Sequence, residues 1–302
     1  MKKSVKKLRK KRRRRRLKAS VRNTLAILVA FFLIPLFQEY IYTLDPAQYT
    51  IEEITAQAKG RELNTSSKQL TRIPVFAHRG FVEDSIIGNS FESYDLALLS
   101  GCPQIEIDVR SSLDGILYVS HDDNLAPISA STWNISEHTS AELDGILMKN
   151  GEKLHRLSEV FDRYRDQMIY LVELKDNSTD PKPFLDVVAG YPKLSQNIQA
   201  QSFNIPLIEN IHTQLPNMFV QALISDSTKL AQMIEASWLD SIAIDQNILS
   251  WDLISTIHES NKEVWVWTVD NLEDVHRYFS WGVDGVITDL DSAVVVYREY
   301  TT

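Results

Sequence analysis

The sequence predicts an α/β fold, a (β/α)8 TIM barrel preceded by a single transmembrane helix. From residue 73 onward, short apolar runs alternate with helical patterns, and no repeat or low-complexity segment interrupts them. There are eight such alternations, a number that favours closure of a parallel sheet into a barrel. Charged residues also fall at the carboxyl ends of the apolar runs, where barrel enzymes keep their sites. The predicted strands lie at 74–77, 104–109, 169–174, 197–202, 218–224, 241–245, 263–269 and 284–288.

The residues before the barrel divide into three predicted segments. Residues 1–22 hold 14 of the 32 lysines and arginines and no acid, which predicts a basic cytoplasmic tail. Residues 23–44 begin with an uncharged apolar block and are long enough, at about 20 residues, for a transmembrane anchor. Residues 45–72 are polar and are predicted to form a stalk, and 73–302 are predicted to be the barrel domain.

The orientation of the predicted anchor follows from the positive-inside rule, which places the tail in the cytoplasm and the barrel outside the cell. We therefore expect a single-pass protein of the cell membrane. The apolar block also fits a signal peptide, although no small-x-small cleavage site follows it. The tail also matches a nuclear-localisation or nucleic-acid patch. Its position beside the apolar block favours anionic membrane lipids as its partner.

The charge of the barrel domain argues against nucleic-acid binding. Residues 23–302 hold 18 basic and 40 acidic residues. Nucleic-acid binding requires dense positive surface facing the phosphates, and an anionic substrate would require local cations to overcome the overall field. Cys102 is the single cysteine, which excludes an intramolecular disulfide and a cysteine-rich zinc module.

Helix signals lie between the predicted strands. Residues 89–90 offer N-cap side chains for the first helix of the barrel, and Ser158 is predicted to begin another. Asn271 is predicted to cap a later helix that ends at Gly282. Residues 111–155 are too long for one crossover, so we expect a hairpin and a small excursion over the barrel mouth.

Charged side chains occur in pairs within two of the predicted strands. Glu106 and Asp108 lie on one face of their strand, because successive strand residues point to opposite faces. Glu173 and Lys175 repeat this spacing at the end of the next predicted strand. Neighbouring carboxylates repel each other unless a cation or a proton lies between them. Charged residues that face a packed barrel interior are costly unless they are paired or metal-bound.

Two histidines accompany these charged pairs. His78 and Arg79 follow the first strand, and His121 ends an apolar run within the predicted hairpin. Taken singly, each has an ordinary explanation: a hydrogen-bonded structural histidine, a solvated loop arginine, or a plain ion pair between Glu173 and Lys175. Their joint occurrence at strand ends favours a metal-assisted acid–base site.

The motifs that contain these residues resemble those of the glycerophosphodiester phosphodiesterases, including relatives fused to membrane segments. The resemblance covers about residues 74–290, and its strength comes from the order and spacing of the motifs. It implies a TIM barrel. The motifs are His78-Arg79-Gly80, Asn89-Ser90, Ile105 to Arg110, Asp114-Gly115, His121-Asp122, Glu173-Leu174-Lys175, Ser202-Phe203, Trp267 to Asp270 and Asp284 to Asp289.

The resemblance implies hydrolysis of glycerophosphodiesters to glycerol 3-phosphate and an alcohol, on the outer side of the membrane. Carboxylates suit hard Mg²⁺ or Ca²⁺, and the nucleophile is either water or the glycerol 2-hydroxyl of the substrate. The implied roles are catalysis for His78 and His121, phosphate binding for Arg79 and Lys175, binding of one divalent cation, Mg²⁺ or Ca²⁺, for Glu106, Asp108 and Glu173, and substrate contact for Asn89 and Trp267.

One position departs from the family pattern. Gly88 stands where the family commonly has a glutamate, which affects the expected metal affinity or head-group preference. Glu83 or Asp84 in the same loop is expected to compensate. The alternatives are a lipid phosphodiesterase resembling phospholipase C or sphingomyelinase D, and a non-catalytic barrel that binds envelope phosphodiesters. Candidate substrates are deacylated lipids, lysophospholipids and glycerophosphate polymers.

Overall fold

The computed structural model describes residues 72–82 and 85–299, which fold as a closed parallel barrel. The strands are β1 (Val75–Ala77), β2 (Gln104–Ser111), β3 (Leu117–Val119), β4 (Ile169–Leu174), β5 (Ile198–Ser202), β6 (Val220–Ile224), β7 (Ser241–Asp245), β8 (Glu263–Trp267) and β9 (Gly285–Thr288). β1 pairs in parallel with both β2 and β9, which closes a ring of eight strands. β3 lies outside this ring and runs antiparallel to β2. The predicted (β/α)8 barrel is therefore confirmed.

Helices surround the ring and follow most of its strands. The helices are α1 (Phe91–Leu99), α2 (Ser140–Leu143), α3 (Leu157–Tyr164), α4 (Lys182–Ala189), α5 (Ile205–Gln214), α6 (Leu230–Glu235), α7 (Trp251–Glu259), α8 (Leu272–Trp281) and α9 (Ser292–Glu299). Ser90 is the N-cap of α1 and forms a capping box with Ser93. α3 begins one residue before Ser158, whereas Asn271 caps α8 and Gly282 ends it as predicted.

All bounds of the eight predicted strands lie within two residues of the prediction, and β4 and β7 match it fully. β6 begins at Val220 rather than at residue 218, because the amide of Met218 donates to Leu215 O in the preceding turn. β8 ends at Trp267 rather than at residue 269. These differences leave the polar residues at the strand ends where the sequence placed them.

The barrel interior holds a small apolar core that supports the mouth. Trp265 is its largest member, and Phe76 lies against it with ring centroids 5.0 Å apart. A Cβ added at Gly285 would overlap the Trp265 ring, so only glycine leaves room for it. The buried members are Phe76, Ile169, Leu171, Leu223, Ala243, Trp265 and Ile287. A much larger core lies between the strands and the helices.

Arg72 lies at the opposite end of the barrel from the predicted site. Its Nη1 donates to Glu263 Oε1 at 2.9 Å. Its guanidinium lies over the rings of Phe219 and Trp265, at 4.8 and 5.1 Å from their centroids. Arg72 was assigned to the stalk, but these contacts join it to the barrel.

The excursion between β2 and α3 begins with the predicted hairpin of β2 and β3. It contains its own buried apolar cluster, which comprises Tyr118, Leu125, Ile135, Leu143 and Leu154. Glu152 also joins it to α1, since its carboxylate accepts hydrogen bonds from the amides of Phe91 and Glu92 at 2.8 and 3.0 Å. A carboxylate at this position satisfies amides that the first turn of a helix leaves free.

Among the described residues, no helix combines the length and apolar character that a membrane crossing requires. The predicted tail at 1–22 and anchor at 23–44, and the stalk up to residue 71, lie outside the described residues. Glu83 and Asp84, predicted to compensate for Gly88, also lie outside them.

Replacement of Gly285 by alanine is expected to destabilise the barrel by about 1–3 kcal/mol, because the new methyl group would overlap the Trp265 ring. Urea denaturation of the two proteins measures the difference. Gly145→Ala is the control, since a Cβ there would have Glu142 O as its nearest neighbour, at 3.8 Å. Equal unfolding midpoints for Gly285→Ala and Gly145→Ala would contradict the packing argument.

Candidate active site

A cavity of about 230 Å³ lies at the carboxyl ends of the barrel strands. Seven of the nine predicted site residues line it, and the other two, Asp108 and Asn89, lie directly behind them. The lining residues are His78, Arg79, Glu106, His121, Glu173, Lys175, Gln201, Phe203, Leu223, Trp267, Thr268 and Ile287. The structure therefore brings the sequence-predicted residues together in one site.

Three carboxylates meet at the base of this cavity. Glu106 and Asp108 come from β2 and Glu173 from β4, where Asp108 and Glu173 are register partners. Each offers an oxygen atom within 4.8 Å of the others, and all three side chains are buried. Burial and the charge of Asp108 raise the pKa of Glu106 to about 8 and that of Glu173 to about 7.

This carboxylate group fits a divalent cation. The raised pKa values of Glu106 and Glu173 show that the cationic side chains nearby compensate their burial only in part, and an ion among the carboxylates would supply further positive charge. Three carboxylate oxygens at this spacing are also the donor type that Mg²⁺ and Ca²⁺ prefer. Glu106, Asp108 and Glu173 could therefore hold one such ion, as the sequence predicted.

Two cationic side chains and one amide surround Asp108. Lys175 Nζ lies 3.0 Å from Asp108 Oδ1 and 2.6 Å from Glu173 Oε1. Arg79 Nε lies 3.1 Å from Asp108 Oδ2, and Asn89 Nδ2 donates to the same oxygen at 2.8 Å. Burial alone would raise the pKa of Asp108, but the charges of Lys175 and Arg79 outweigh it and hold that pKa below its usual value.

Arg79 and Asn89 both lie in the loop between β1 and α1, and both adopt a left-handed backbone conformation. Arg79 has φ +57° and Asn89 has φ +63°, and such values are uncommon outside glycine. Asn89 Oδ1 accepts hydrogen bonds from the backbone amide of Asp108 and from Tyr94 OH, at 3.2 and 3.0 Å. Asn89 is buried and bonded to Asp108, so the structure places it beside the carboxylates rather than in the cavity lining.

Gly88 lies against Arg79. A Cβ added at residue 88 would come 3.0 Å from Arg79 Cβ and 3.3 Å from Val82 Cγ2. Such contacts are tight, so any other residue at this position would require Arg79 to shift. The departure from the family pattern therefore affects the arginine predicted to bind phosphate.

His78 is oriented by an acid from the last strand end. Its Nδ1 donates to Asp289 Oδ1 at 2.8 Å, which leaves Nε2 as the atom available to the cavity. Burial would lower the pKa of His78, but the hydrogen bond to Asp289 and the charge of Glu106 outweigh it. The net result is a raised pKa.

His121 has a different environment. Its Nδ1 donates to Asp122 Oδ1 at 2.8 Å, and its carbonyl oxygen accepts from Arg110 Nε at 3.0 Å. Burial lowers the pKa of His121 below its usual value, and the charge of Asp108 opposes this only in part. The two histidines thus have pKa values shifted in opposite directions, a pattern typical of acid–base pairs.

The opposite side of the cavity is apolar. The rings of Phe203 and Trp267 meet edge to face with centroids 5.5 Å apart, and Leu223 and Ile287 continue this wall. Trp267 Nε1 donates to Ala243 O at 3.0 Å, which holds the indole in place. Trp267, predicted to be a substrate contact, lines the cavity.

Two further polar side chains, Gln201 and Asp289, take part in the site and are not among the predicted site residues. Gln201 Nε2 donates to Glu106 Oε1 at 3.1 Å, and Asp289 orients His78. Both follow the signal used for the other site residues, namely a polar residue at the carboxyl end of a strand. Their partners could not be found that way, because they lie 95 and 211 residues away in the chain.

A closed parallel barrel with acids, cations and two histidines at the carboxyl ends of its strands belongs to the class of barrel enzymes that act on anionic substrates. The match to known families is more specific. The chain belongs to the glycerophosphoryl diester phosphodiesterase family, whose model matches residues 78–290.

Individual relatives agree with this assignment. The chain is 25% identical over 279 residues to a glycerophosphodiester phosphodiesterase of Bacillus subtilis (strain 168), an alignment that covers 83% of this chain and 93% of the relative. Its fold is similar to that of a Parabacteroides distasonis glycerophosphodiester phosphodiesterase, with a TM-score of 0.67, 22% identity, and coverage of 76% and 98%. It is also similar to an Oleispira antarctica phosphodiesterase in complex with the product sn-glycerol-3-phosphate, with a TM-score of 0.67, 20% identity, and coverage of 75% and 97%.

Replacement of Asp289 by asparagine is expected to lower the pKa of His78. An anionic acceptor stabilises the imidazolium form, so without it the ring loses its proton at a lower pH. NMR titration of the histidine rings in metal-free protein measures the midpoint. His121 is bonded to Asp122 instead and serves as the internal control. An unchanged His78 midpoint would show that Asp289 does not set this pKa.

Proposed function

We propose that the chain is a metal-dependent phosphodiesterase that hydrolyses glycerophosphodiesters to glycerol 3-phosphate and an alcohol. One observation carries this proposal. Three buried carboxylates and two histidines, whose pKa values are shifted in opposite directions, lie together at one cavity of a chain that belongs to the family. The product bound to the Oleispira antarctica relative supports the same substrate class.

Glu106, Asp108 and Glu173 would hold one divalent cation, Mg²⁺ or Ca²⁺. When bound, such an ion neutralises charge on the phosphate and polarises its oxygens. Arg79 and Lys175 add positive charge on the same side, and the Arg79 side chain is 31% exposed and so can also meet a ligand. A guanidinium can bind two phosphate oxygens at once.

The two histidines would share the proton transfers. His121, with its lowered pKa, is neutral near pH 7 and suited to accept a proton at Nε2 from the attacking hydroxyl. His78, with its raised pKa, is the better suited of the two to carry a proton and to donate it to the leaving alcohol as the P–O bond breaks. The attacking hydroxyl belongs to water or to the substrate glycerol.

The apolar wall favours lysophospholipid-like substrates as a second candidate. Phe203 is 40% exposed beside the charged side of the cavity. The acyl chain, which a lysophospholipid carries on its glycerol, would lie against Phe203 and Trp267 while the phosphate meets the cations. A water-soluble diester would leave this wall uncovered.

We also propose that residues 23–44 anchor the enzyme in the cell membrane with the barrel outside. The apolar block and the adjacent basic tail support this orientation. Anchoring would hold the cavity near envelope lipids, and the tail would contact anionic lipids on the cytoplasmic side.

Loss of the divalent cation or of either histidine is expected to abolish most of the activity. The assay follows release of glycerol 3-phosphate from glycerophosphocholine by the full chain in detergent, before and after chelation, with Mg²⁺ or Ca²⁺ restored. His78→Asn and His121→Asn should each lose about 10²–10⁴-fold in kcat, and Glu106→Gln should lose metal dependence together with activity.

His138→Asn is the matched control, because His138 stacks on Trp133 in the excursion and does not line the cavity. Its activity should remain within about twofold of wild type. Full activity after chelation would contradict metal dependence. A wild type that binds metal but hydrolyses neither glycerophosphocholine nor lysophosphatidylcholine would favour the non-catalytic alternative.

Deletion of residues 2–44 is expected to release the enzyme from the membrane without changing kcat. The full chain should stay in the membrane pellet through a carbonate wash, and protease added to intact cells should cleave the barrel. Extraction of the full chain by carbonate would argue against an anchor. Protection from external protease would argue against the proposed orientation.

A further inference from the structure

A line of hydrogen bonds crosses the barrel interior from the carboxylates to β7. Gln201 Nε2 donates to Glu106 Oε1 at 3.1 Å, and Gln221 Nε2 donates to Gln201 Oε1 at 2.9 Å. Ser241 Oγ donates to Gln221 Oε1 at 2.8 Å. We propose that Gln201, Gln221 and Ser241 form a positioning relay that holds Glu106 in its metal-binding orientation.

Strand register explains why these side chains meet. Gln201 on β5 is the register partner of Gln221 on β6, which is the partner of Ser241 on β7. Register partners on neighbouring strands project to the same face of a sheet. The relay is therefore built into the interior of the barrel and does not depend on loops.

The hydrogen bonds set a direction along the relay. An ionised Glu106 can only accept, so Gln201 donates its amide nitrogen to Glu106 and accepts from the amide nitrogen of Gln221 with its oxygen. The oxygen of Gln221 then accepts from the Ser241 hydroxyl, which has Glu263 O as a second acceptor at 3.2 Å. Reversal of the Gln221 amide alone would place oxygen against oxygen at its contact with Gln201.

Because the three relay side chains are buried, the orientation of each amide is important for stability. Gln201, Gln221 and Ser241 are each at most 1% exposed, so water cannot readily replace a missing donor. The other carboxylate oxygen of Glu106 accepts from the backbone amide of Arg79 at 3.1 Å. Glu106 is thus held at both oxygens, once by the backbone and once by the relay.

Gln199 supplies an internal comparison. It lies two residues before Gln201 on β5, so its side chain points to the same face, and it is 1% exposed. Neither of its amide atoms has a hydrogen-bond partner within the part of the chain that the structure describes. Burial alone therefore does not make a glutamine part of the relay. Gln221 belongs to it because its side-chain amide forms hydrogen bonds to Gln201 and Ser241, whereas the amide of Gln199 forms none to the described residues.

This inference rests on the proposed metal site, and calorimetry tests both. The experiment measures the Kd of Mg²⁺ and of Ca²⁺ for the full chain in detergent. Gln221→Met removes the amide but keeps the length of the side chain, and Gln199→Met makes the same change outside the relay. Outer hydrogen-bond partners of metal ligands are typically worth about 10–100-fold in metal affinity. Because Gln221 is one step further from Glu106, we expect a weakening of about tenfold.

Gln221→Glu tests the direction of the relay. A glutamate has the same shape but no N–H group, so in its ionised form, present at the alkaline end of a pH series, it cannot donate to Gln201 Oε1. We expect it to weaken metal binding at least as much as Gln221→Met. Ser241→Ala, which removes only the hydroxyl, provides a milder second variant should a glutamine variant fail to fold. Gln199→Met should bind metal within about twofold of wild type.

The outcomes separate the two proposals. A wild type that binds neither ion would overturn the metal site itself. A wild type that binds while Gln221→Met and Ser241→Ala bind equally well would overturn the relay and leave the metal site intact. Equal weakening by Gln221→Met and Gln199→Met would also overturn the relay, because it would assign the effect to general repacking of the barrel interior.

Discussion

The buried charge of Asp108 is the constraint on which the rest of the site depends. An isolated buried carboxylate is strongly destabilising, so it must be paired and hydrogen-bonded. Lys175, Arg79 and Asn89 supply this compensation at 3.0, 3.1 and 2.8 Å. Left-handed backbone at Arg79 and Asn89 costs on the order of 1 kcal/mol or more for each residue. The contacts with Asp108 can offset that cost, which accounts for the unusual path of the loop.

Closure of the barrel brings the residues that make these contacts together around one cavity. β1 lies between β2 and β9, so the loop after β1 meets both the carboxylates of β2 and Asp289. The Trp265 core fills the barrel beneath them and keeps the carboxylates at the mouth. The polar layer of Gln201, Gln221 and Ser241 lies within the ring of strands beside this core. Side chains of the barrel strands therefore connect the carboxylates of the active site to the interior of the barrel.

Local patterns were enough to predict the eight strands and the Glu106–Asp108 pair, because strand periodicity and spacing are properties of neighbouring residues. The inclusion of Glu173 with that pair came from the resemblance to the family. The hydrogen bond between His78 and Asp289 could not be predicted from local patterns, since it depends on closure of the ring of strands between residues 211 positions apart. The bonds of Gln201 depend on the register of β5 with β6. Arg72 falls in the predicted stalk because its packing partners, Phe219 and Trp265, are also far away in the sequence.

The departure from the family pattern at Gly88 has a physical consequence in this structure. The family glutamate was expected to matter through its charge near the metal. In this chain the first consequence is steric, because the space beside Gly88 is taken by the side chain of Arg79. That placement allows Arg79 Nε to reach Asp108 at 3.1 Å. A glutamate here would need the arginine to move and would compete with Asp108 for its charge, so the glycine and the Arg79–Asp108 pair belong to one arrangement.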